Sequence, residues 1–329
     1  MKTLVSVVIP VKEIDDYLRQ ETLPAILRQI GIDLEIIIVT DQESKERFPK
    51  TKIFPSWPKT GPADKRDLGV KRAIGEIIAF LDDDSYPKKD WLKNALRIFS
   101  QDSQIAGVCG PTLTPPHNNL RQKASGWVWA SWLGSGGAGV YRCSPASRRE
   151  VDDFPSVNLL VRKKDFWAVG GFDSQFWPGE DTKLCHDLVY KLGKKIIYYP
   201  SVLVYHHRQE VFLPHLRQIS RYALHRGYFA RILPQTSRRW GYFLPSLFFL
   251  GFIIGPFLAF INPILKFFYF GSMGIYLLAL IFTALQVYFK EKDLVLTLLV
   301  MPSILITHLV YGALFIKGFL TPNLKSKYK

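Results

Sequence analysis

Three carboxylates in a row, Asp82-Asp83-Asp84, follow the apolar run EIIAFL (76–81). Adjacent like charges repel, so the triplet costs stability unless a cation or solvent relieves it. Where a buried strand ends, alternate side chains share a side, so Asp82 and Asp84 can converge while Asp83 points away. Two converging carboxylates suit Mg2+ or Mn2+, which take oxygen ligands and bridge phosphates. An acidic turn before Pro87 is the plain alternative, and the triplet alone leaves both open. A second acidic pair, Glu180-Asp181, follows the turn Trp177-Pro178-Gly179 and opens the amphipathic stretch TKLCHDLVYKLG (182–193). Carboxylates at a helix N-terminus are often only capping groups. That explains one of the two; the functional reading makes one of them a base beside the conformationally free Gly179. A third group, His206-His207-Arg208, follows PSVLVY (200–205). It offers an imidazole ligand or a cationic face for phosphate, or it is a surface accident.

These groups need a scaffold that brings them together. SVVIP (6–10), LEIIIV (34–39), EIIAFL (76–81) and IAGVCG (105–110) read as buried strands, with helical patterns over 16–30, 62–75 and 88–100. Continuous apolar strands alternating with helices predict βαβ units, an α/β fold and a mostly parallel, Rossmann-like sheet. Ligands of such sheets bind at the carboxyl ends of the strands. Those ends carry Pro10-Val11, Asp41 and the Asp triplet, so acidic residues gather where a nucleotide would sit. Asp41 taken alone is a solvated turn residue.

The chain has 329 residues, 48% hydrophobic and 22% charged, a composition that excludes a disordered or fibrous protein. Three cysteines without a CxxC argue against a disulfide framework or a structural zinc and fit a reducing compartment. The net charge of +15 implies an anionic partner. Its placement favours a membrane. From Gly241 on the chain turns lipid-like, with apolar runs over about 244–261, 265–289 and 294–316. Each approaches or exceeds the ~20 residues needed to cross a bilayer. Arg208, Arg217, Arg221, Arg226, Arg231, Arg238 and Arg239 precede the first run, as expected on a cytoplasmic face with anionic headgroups. VSVVIP (5–10) is too short for a signal peptide, so the α/β part is expected to stay in the cytoplasm. Three full spans would put Lys325, Lys327 and Lys329 outside. One segment is therefore a candidate re-entrant or interfacial piece, with Pro256 and Pro302 as candidate breaks.

At this point the residues resemble the family-2 glycosyltransferases of the GT-A fold, carrying a C-terminal membrane anchor. The matching pieces come in the family's order: VSVVIPVKE (5–13), Asp41, GPADKRDLGVKRAIGEIIAFLDDDSYP (61–87), NLLVRKKDFWAVGGFDSQFWPGEDTKLCHDL (158–188) and VLVYHHR (202–208). They cover about the first 210 residues. The resemblance implies donor-binding roles for Pro10, Asp41, Lys65, Arg66, Asp82 and Asp83. The family's small-Arg-Asn is replaced here by Lys65-Arg66-Asp67. It implies a divalent metal, Mn2+ or Mg2+, held by Asp82 and Asp84 of the DxD motif with His206, His207 being the close alternative. Asp181 matches the catalytic base, and Glu180 is the runner-up, more suited to positioning the acceptor. Gly170-Gly171-Phe172-Asp173 matches a segment that shapes the sugar and acceptor site.

The implied activity is transfer, with inversion, of a sugar from a nucleotide-diphosphate donor to a lipid-linked or glycan acceptor at the cytoplasmic membrane face. Polysaccharide, glycolipid or glycoprotein glycan synthesis is the setting. Residues 212–224 read as a basic amphipathic interfacial helix. Gln218, Arg221 and Tyr222 resemble the QxxRW motif of processive synthases, with Tyr for Trp, and with Gly179 they form the candidate acceptor or interface set. Three regions are expected: a catalytic domain over 1–210, an interfacial region over 211–240 and a transmembrane region over 241–329. Processive synthesis and nucleotide-sugar binding without turnover stay open as alternatives. Nucleic acid is not an expected partner, since the basic residues lie beside the apolar runs without a recognisable aromatic platform.

Overall fold

The computed structural model describes residues 4–57, 60–137 and 139–326. Lys327 and Lys329 lie outside them. The strands are β1 (Val5–Pro10), β2 (Leu34–Thr40), β3 (Thr51–Pro55), β4 (Ile77–Phe80), β5 (Ser85–Pro87), β6 (Ile105–Cys109), β7 (Thr112–Leu113), β8 (Arg149–Val151), β9 (Leu159–Arg162), β10 (Lys195–Tyr198) and β11 (Val204–His206). The helices are α1 (Leu23–Leu27), α2 (Pro62–Arg72), α3 (Trp91–Phe99), α4 (Leu120–Ala130), α5 (Val140–Cys143), α6 (Lys163–Ala168), α7 (Glu180–His186), α8 (Leu213–Ile232), α9 (Pro234–Ser237), α10 (Trp240–Ile261), α11 (Pro263–Glu291) and α12 (Leu294–Leu320). Two compact units emerge. One holds the residues up to Leu113 together with Ser144–His207, and the other holds Thr114–Cys143 and Arg208–Leu324.

The first unit is built on an eight-stranded sheet in the order β3-β2-β1-β4-β9-β6-β10-β8. β1, β2, β3 and β4 run parallel, as do β6 and β10, while β9 and β8 run against them. Every residue of β2 and β4 is buried, as expected of strands covered on both faces. The parallel run therefore ends Pro10, Thr40 and Phe80 on one edge, and the chain order reverses between β1 and β4, the place where such sheets take ligands. β9 sits antiparallel in the centre of the sheet, an arrangement that apolar alternation does not signal. A smaller sheet, β5-β11-β7, stands beyond that edge. A buried amide fastens the region: Asn158 accepts from the Trp91 indole (2.8 Å) and donates to the carbonyls of Gly110 (2.7 Å) and Val202 (2.8 Å).

The expected helix over 16–30 is instead a π-helical turn, Leu18–Thr22, followed by the short α1 with Pro24 at its start. Proline fits the first turn of a new helix better than the middle of a long one. The stretch opened by Glu180-Asp181 likewise passes from α7 into a π-helical turn, Asp187–Lys191, and stops before Gly193, whose φ of +67° only glycine adopts freely.

In the second unit α10, α11 and α12 are each long and apolar enough to cross a membrane. Pro256 and Pro302 lie inside continuous helices, so the expected breaks do not occur there. The chain turns instead at Asn262 and at Lys292-Asp293. α12 is the hub of this unit. Its first half packs on α4 and α11 through Val128, Leu280, Val287, Leu296, Val300 and Ile304. Its second half takes α8 and α10. A Cβ on Gly318 would lie 1.9 Å from the Leu224 carbonyl oxygen, and one on Gly227 would lie 2.0 Å from that of Phe315.

α8 buries His215, Ile219, Ala223, Gly227, Phe229 and Ala230, whereas Leu213 is exposed. Glycine lets its backbone approach that of α12 closely. His215 joins the interior between the Ser125 hydroxyl (2.8 Å) and that of Thr307 (3.0 Å). Burial pushes its imidazole down to about 4, so it stays neutral. His308 is likewise satisfied. Its Nε2–H donates to the Leu133 carbonyl (3.1 Å), which leaves Nδ1 to accept from the Tyr276 hydroxyl (2.9 Å).

Candidate active site

Asp82 and Asp84 follow β4 in a tight turn closed by Ser85, whose hydroxyl donates to the Asp82 carbonyl (2.8 Å) and whose N–H donates to the same oxygen (3.2 Å). Ser85 then pairs with His206 across the antiparallel β5–β11 ladder. This pairing carries a histidine from the far end of the unit to the acidic turn. One ligand atom from each of Asp82, Asp84 and His206 lies within 4.8 Å of the others. Two carboxylates and an imidazole form a donor set that Mn2+ and Mg2+ accept, and the His206 Nδ1 is buried without a hydrogen-bond partner, so the residues fit such an ion. Of the two histidines it is His206 that faces Asp84, at 3.2 Å. His207 is turned to Glu21, at 3.1 Å.

The electrostatics follow from the crowding. Burial works against ionisation of Asp84, but the neighbouring His206 outweighs it and holds the carboxyl below its ordinary range. Asp83 gains no such stabilisation from a histidine. Burial, then Asp84 and Asp82, push its carboxyl up to about 7.

Arg66, in the middle of α2, ties this turn to the second acidic group. Its Nη2 donates to Asp82 (2.8 Å) and its Nη1 to Glu180 (3.0 Å), while its buried Nε has no hydrogen-bond partner. Desolvation opposes its charge, but Asp82, Glu180 and Asp181 together keep the guanidinium protonated. Glu180 opens α7, with Gly179 as N-cap. Burial and then Asp181 push its carboxyl up to about 7 against the pull of Arg66. Asp181 accepts from the Thr182 N–H (2.8 Å) and the Ser156 N–H (3.3 Å). Lys65 donates to Asp41 and to the Val11 carbonyl, next to Pro10 at the end of β1. Pro10, Asp41, Lys65, Arg66, Asp82, Asp83, Asp84, Glu180, Asp181 and His206 thus all belong to the first unit.

Gln218, Arg221 and Tyr222 lie on α8 in the second unit, where Tyr222 packs edge-on against Trp129 at 5.9 Å. Reading the sequence alone missed the Gly-Gly-Phe-Asp support of α2. The Phe172 N–H donates to Asp67 (3.0 Å), and the Phe172 ring lies 5.7 Å from the Arg66 guanidinium. A Cβ on Gly171 would lie 3.0 Å from the Asp67 carboxylate, at a φ of +77°. Asp67, in the place of the family's Asn, serves here as a hydrogen-bond acceptor for that loop.

Residues 77–316 match the family model described as Glycosyl transferase family group 2. The chain belongs to the family-2 glycosyltransferases, and its first unit has their GT-A fold. Among curated relatives, the pre-mycofactocin glycosyltransferase of Mycobacterium tuberculosis is 28% identical over 156 residues, 46% of this chain and 31% of that protein. The glucosyl-dolichyl phosphate glucuronosyltransferase of Haloferax volcanii is 20% identical over 205 residues, 56% of this chain and 63% of that one. The chain thus spans about a third of the mycobacterial relative and somewhat under two thirds of the haloarchaeal one. A mannosyltransferase from Pyrobaculum calidifontis, solved with GDP-Man and Mn2+, aligns with a TM-score of 0.54 at 17% identity, covering 95% of this chain and 88% of that structure. At that identity the likeness is one of fold.

Proposed function

We propose that this protein transfers a sugar from a nucleotide-diphosphate donor to a lipid-linked or glycan acceptor at the cytoplasmic face of a membrane, with inversion at the anomeric carbon. Residues 1–210 contain the catalytic machinery, 211–240 the basic juxtamembrane region and 241–329 the membrane anchor. The observation that carries the reading is the Arg66 bridge, which joins the Asp82 side of the candidate metal cluster to Glu180, the neighbour of Asp181.

Asp82, Asp84 and His206 would hold a divalent cation, which would supply Lewis-acid stabilisation of the negative charge on a departing diphosphate. Arg66 and Lys65 add charge-assisted donors for the diphosphate, Arg66 exchanging part of its carboxylate pairing for phosphate. Pro10, Asp41 and Asp83 line the nucleotide side. Asp181 accepts the proton of the attacking hydroxyl, and Glu180 orients the acceptor. The geometry parallels that of inverting glycosidases, where a carboxylate activates the incoming oxygen. If the acceptor is a phosphate, it arrives ionised and the base contributes less.

The membrane assignment draws on the α10–α11 hairpin. Gly255 is the one buried residue between 252 and 275, and the exposed side chains there include Phe257, Phe260, Ile264 and Phe267. A helix apolar all round is stable only when something apolar surrounds it. The acceptor reading also takes support from the haloarchaeal relative, named for a dolichyl phosphate substrate.

The test is a donor screen on purified protein with Mn2+ or Mg2+, measuring nucleotide diphosphate release with and without membrane lipid extract. Asp181→Asn should retain donor binding and lose about 100- to 10,000-fold in turnover. Equal turnover in wild type and Asp181→Asn, or no release from any common donor, would refute the assignment.

A further inference from the structure

The candidate cation site is made of two short arms, the Asp82–Asp84 turn and the end of β11. Neither is long enough to be rigid alone, since β5 and β11 have three residues each. Both arms meet the same neighbour, the π-helical turn Leu18–Thr22. The Thr22 hydroxyl donates to the carbonyl of Asp83, the residue between the two acidic ligands, at 2.6 Å. Glu21 pairs with the His207 Nε2 at 3.1 Å, directly beside His206. The His207 N–H in turn donates to the Asp84 carbonyl at 3.0 Å, so the two arms are also laced to each other. Tyr17, which precedes the turn, packs at a tilt against the His207 ring, with 4.3 Å between centroids. Thr22 is fully buried, and single π-helical turns occur frequently at functional sites.

We propose that Glu21 and Thr22 are positioning residues for the cation ligands, Thr22 setting the Asp82–Asp84 turn and Glu21 setting the His206–His207 end of β11. This rests on the reading of Asp82, Asp84 and His206 as ligands. Partners behind ligands commonly govern ion affinity without touching the ion, and their removal typically costs 10- to 100-fold.

The test measures Mn2+ binding by electron paramagnetic resonance of the free ion, using the full-length chain in detergent and Mn2+ alone as probe. Thr22→Val and Glu21→Ala should each raise the Mn2+ dissociation constant about tenfold at unchanged stoichiometry. Thr22→Ser, which keeps the hydroxyl, should restore it. A turn with a merely structural role would lower the melting temperature of these variants while leaving the Mn2+ affinity of the folded protein at the wild-type value. Asp84→Asn separates the two layers. If it abolishes binding while Thr22→Val and Glu21→Ala bind as wild type, the positioning role is overturned and the ligand assignment stands. If Asp84→Asn itself binds Mn2+ as wild type, the ligand assignment falls and the positioning role falls with it.

Discussion

Replacing Arg66 by Met should destabilise the protein in a way that depends on pH. The Arg66 side chain is 6% exposed and that of Glu180 is 7% exposed, whereas its other partner Asp82 is 30% exposed. Nearly all of the cost therefore comes from the Glu180 side, where a buried carboxylate would be left beside Asp181 with no cation. Removing one member of a buried ion pair costs about 3–5 kcal/mol. The Asp82 side adds little, because water can replace the guanidinium there. The Glu180 carboxyl is held up to about 7, above its ordinary value. Its contribution to stability is therefore full below the ordinary carboxylate range and is lost as pH rises through 7, and Arg66 limits that loss. At pH 8 the full cost should appear, a fall in melting temperature of roughly 10 °C in detergent at the usual few degrees per kcal/mol. At pH 5.5 Glu180 carries its proton, and the loss should shrink by about 1 kcal/mol, the most that a carboxyl titrating near 7 contributes between these two pH values. Adding Glu180→Gln to Arg66→Met should recover about that much of the loss at pH 8, since it removes the stranded charge. Thermal melts of wild type, Arg66→Met and the double variant at both pH values decide the matter. Equal destabilisation at pH 5.5 and pH 8, or a double variant no more stable than Arg66→Met, would refute the bridge as the source of the energy.

Two further outcomes follow from other parts of the molecule. Burial pushes the Asp67 carboxyl up to about 7, so its contribution is complete at low pH and declines as pH rises from the ordinary carboxylate range through 7. Asp67→Asn keeps an oxygen for the Phe172 N–H and should flatten that decline, by at most a few kcal/mol, in melts recorded from pH 4 to pH 8. Gly318→Ala sets helix propensity against packing: propensity favours Ala by about 1 kcal/mol, yet its Cβ would sit 1.9 Å from the Leu224 carbonyl. The clash should win by about 1–3 kcal/mol, read as a lower melting temperature in detergent. A higher one would show that α8 and α12 are not in backbone contact.

Much of the site could be read along the chain because its chemistry is written in short local runs. The Asp triplet, the Gly-Glu-Asp turn and the double histidine each declare their residue types within a few positions, and the buried strands before them declare an edge. Burial of β1, β2 and β4 on both faces made their apolar runs continuous, and three long stretches holding only Lys266 as a charge call for an apolar surrounding. Choosing between His206 and His207 was a different problem. It depends on the β5–β11 register, a pairing across more than a hundred residues that no local pattern encodes. The Arg66–Glu180 contact spans 114 residues, and Glu21 meets His207 across 186. Such contacts cost loop-closure entropy that only the finished packing offsets. The face of α8 that meets α12 was not legible for a related reason: apolar character ranks side chains, whereas glycine decides how closely two backbones approach, and Gly227 and Gly318 permit that approach. Residue types thus determined which chemical groups were present, while the ladder register and close helix contacts, which local periodicity cannot specify, decided which of them meet.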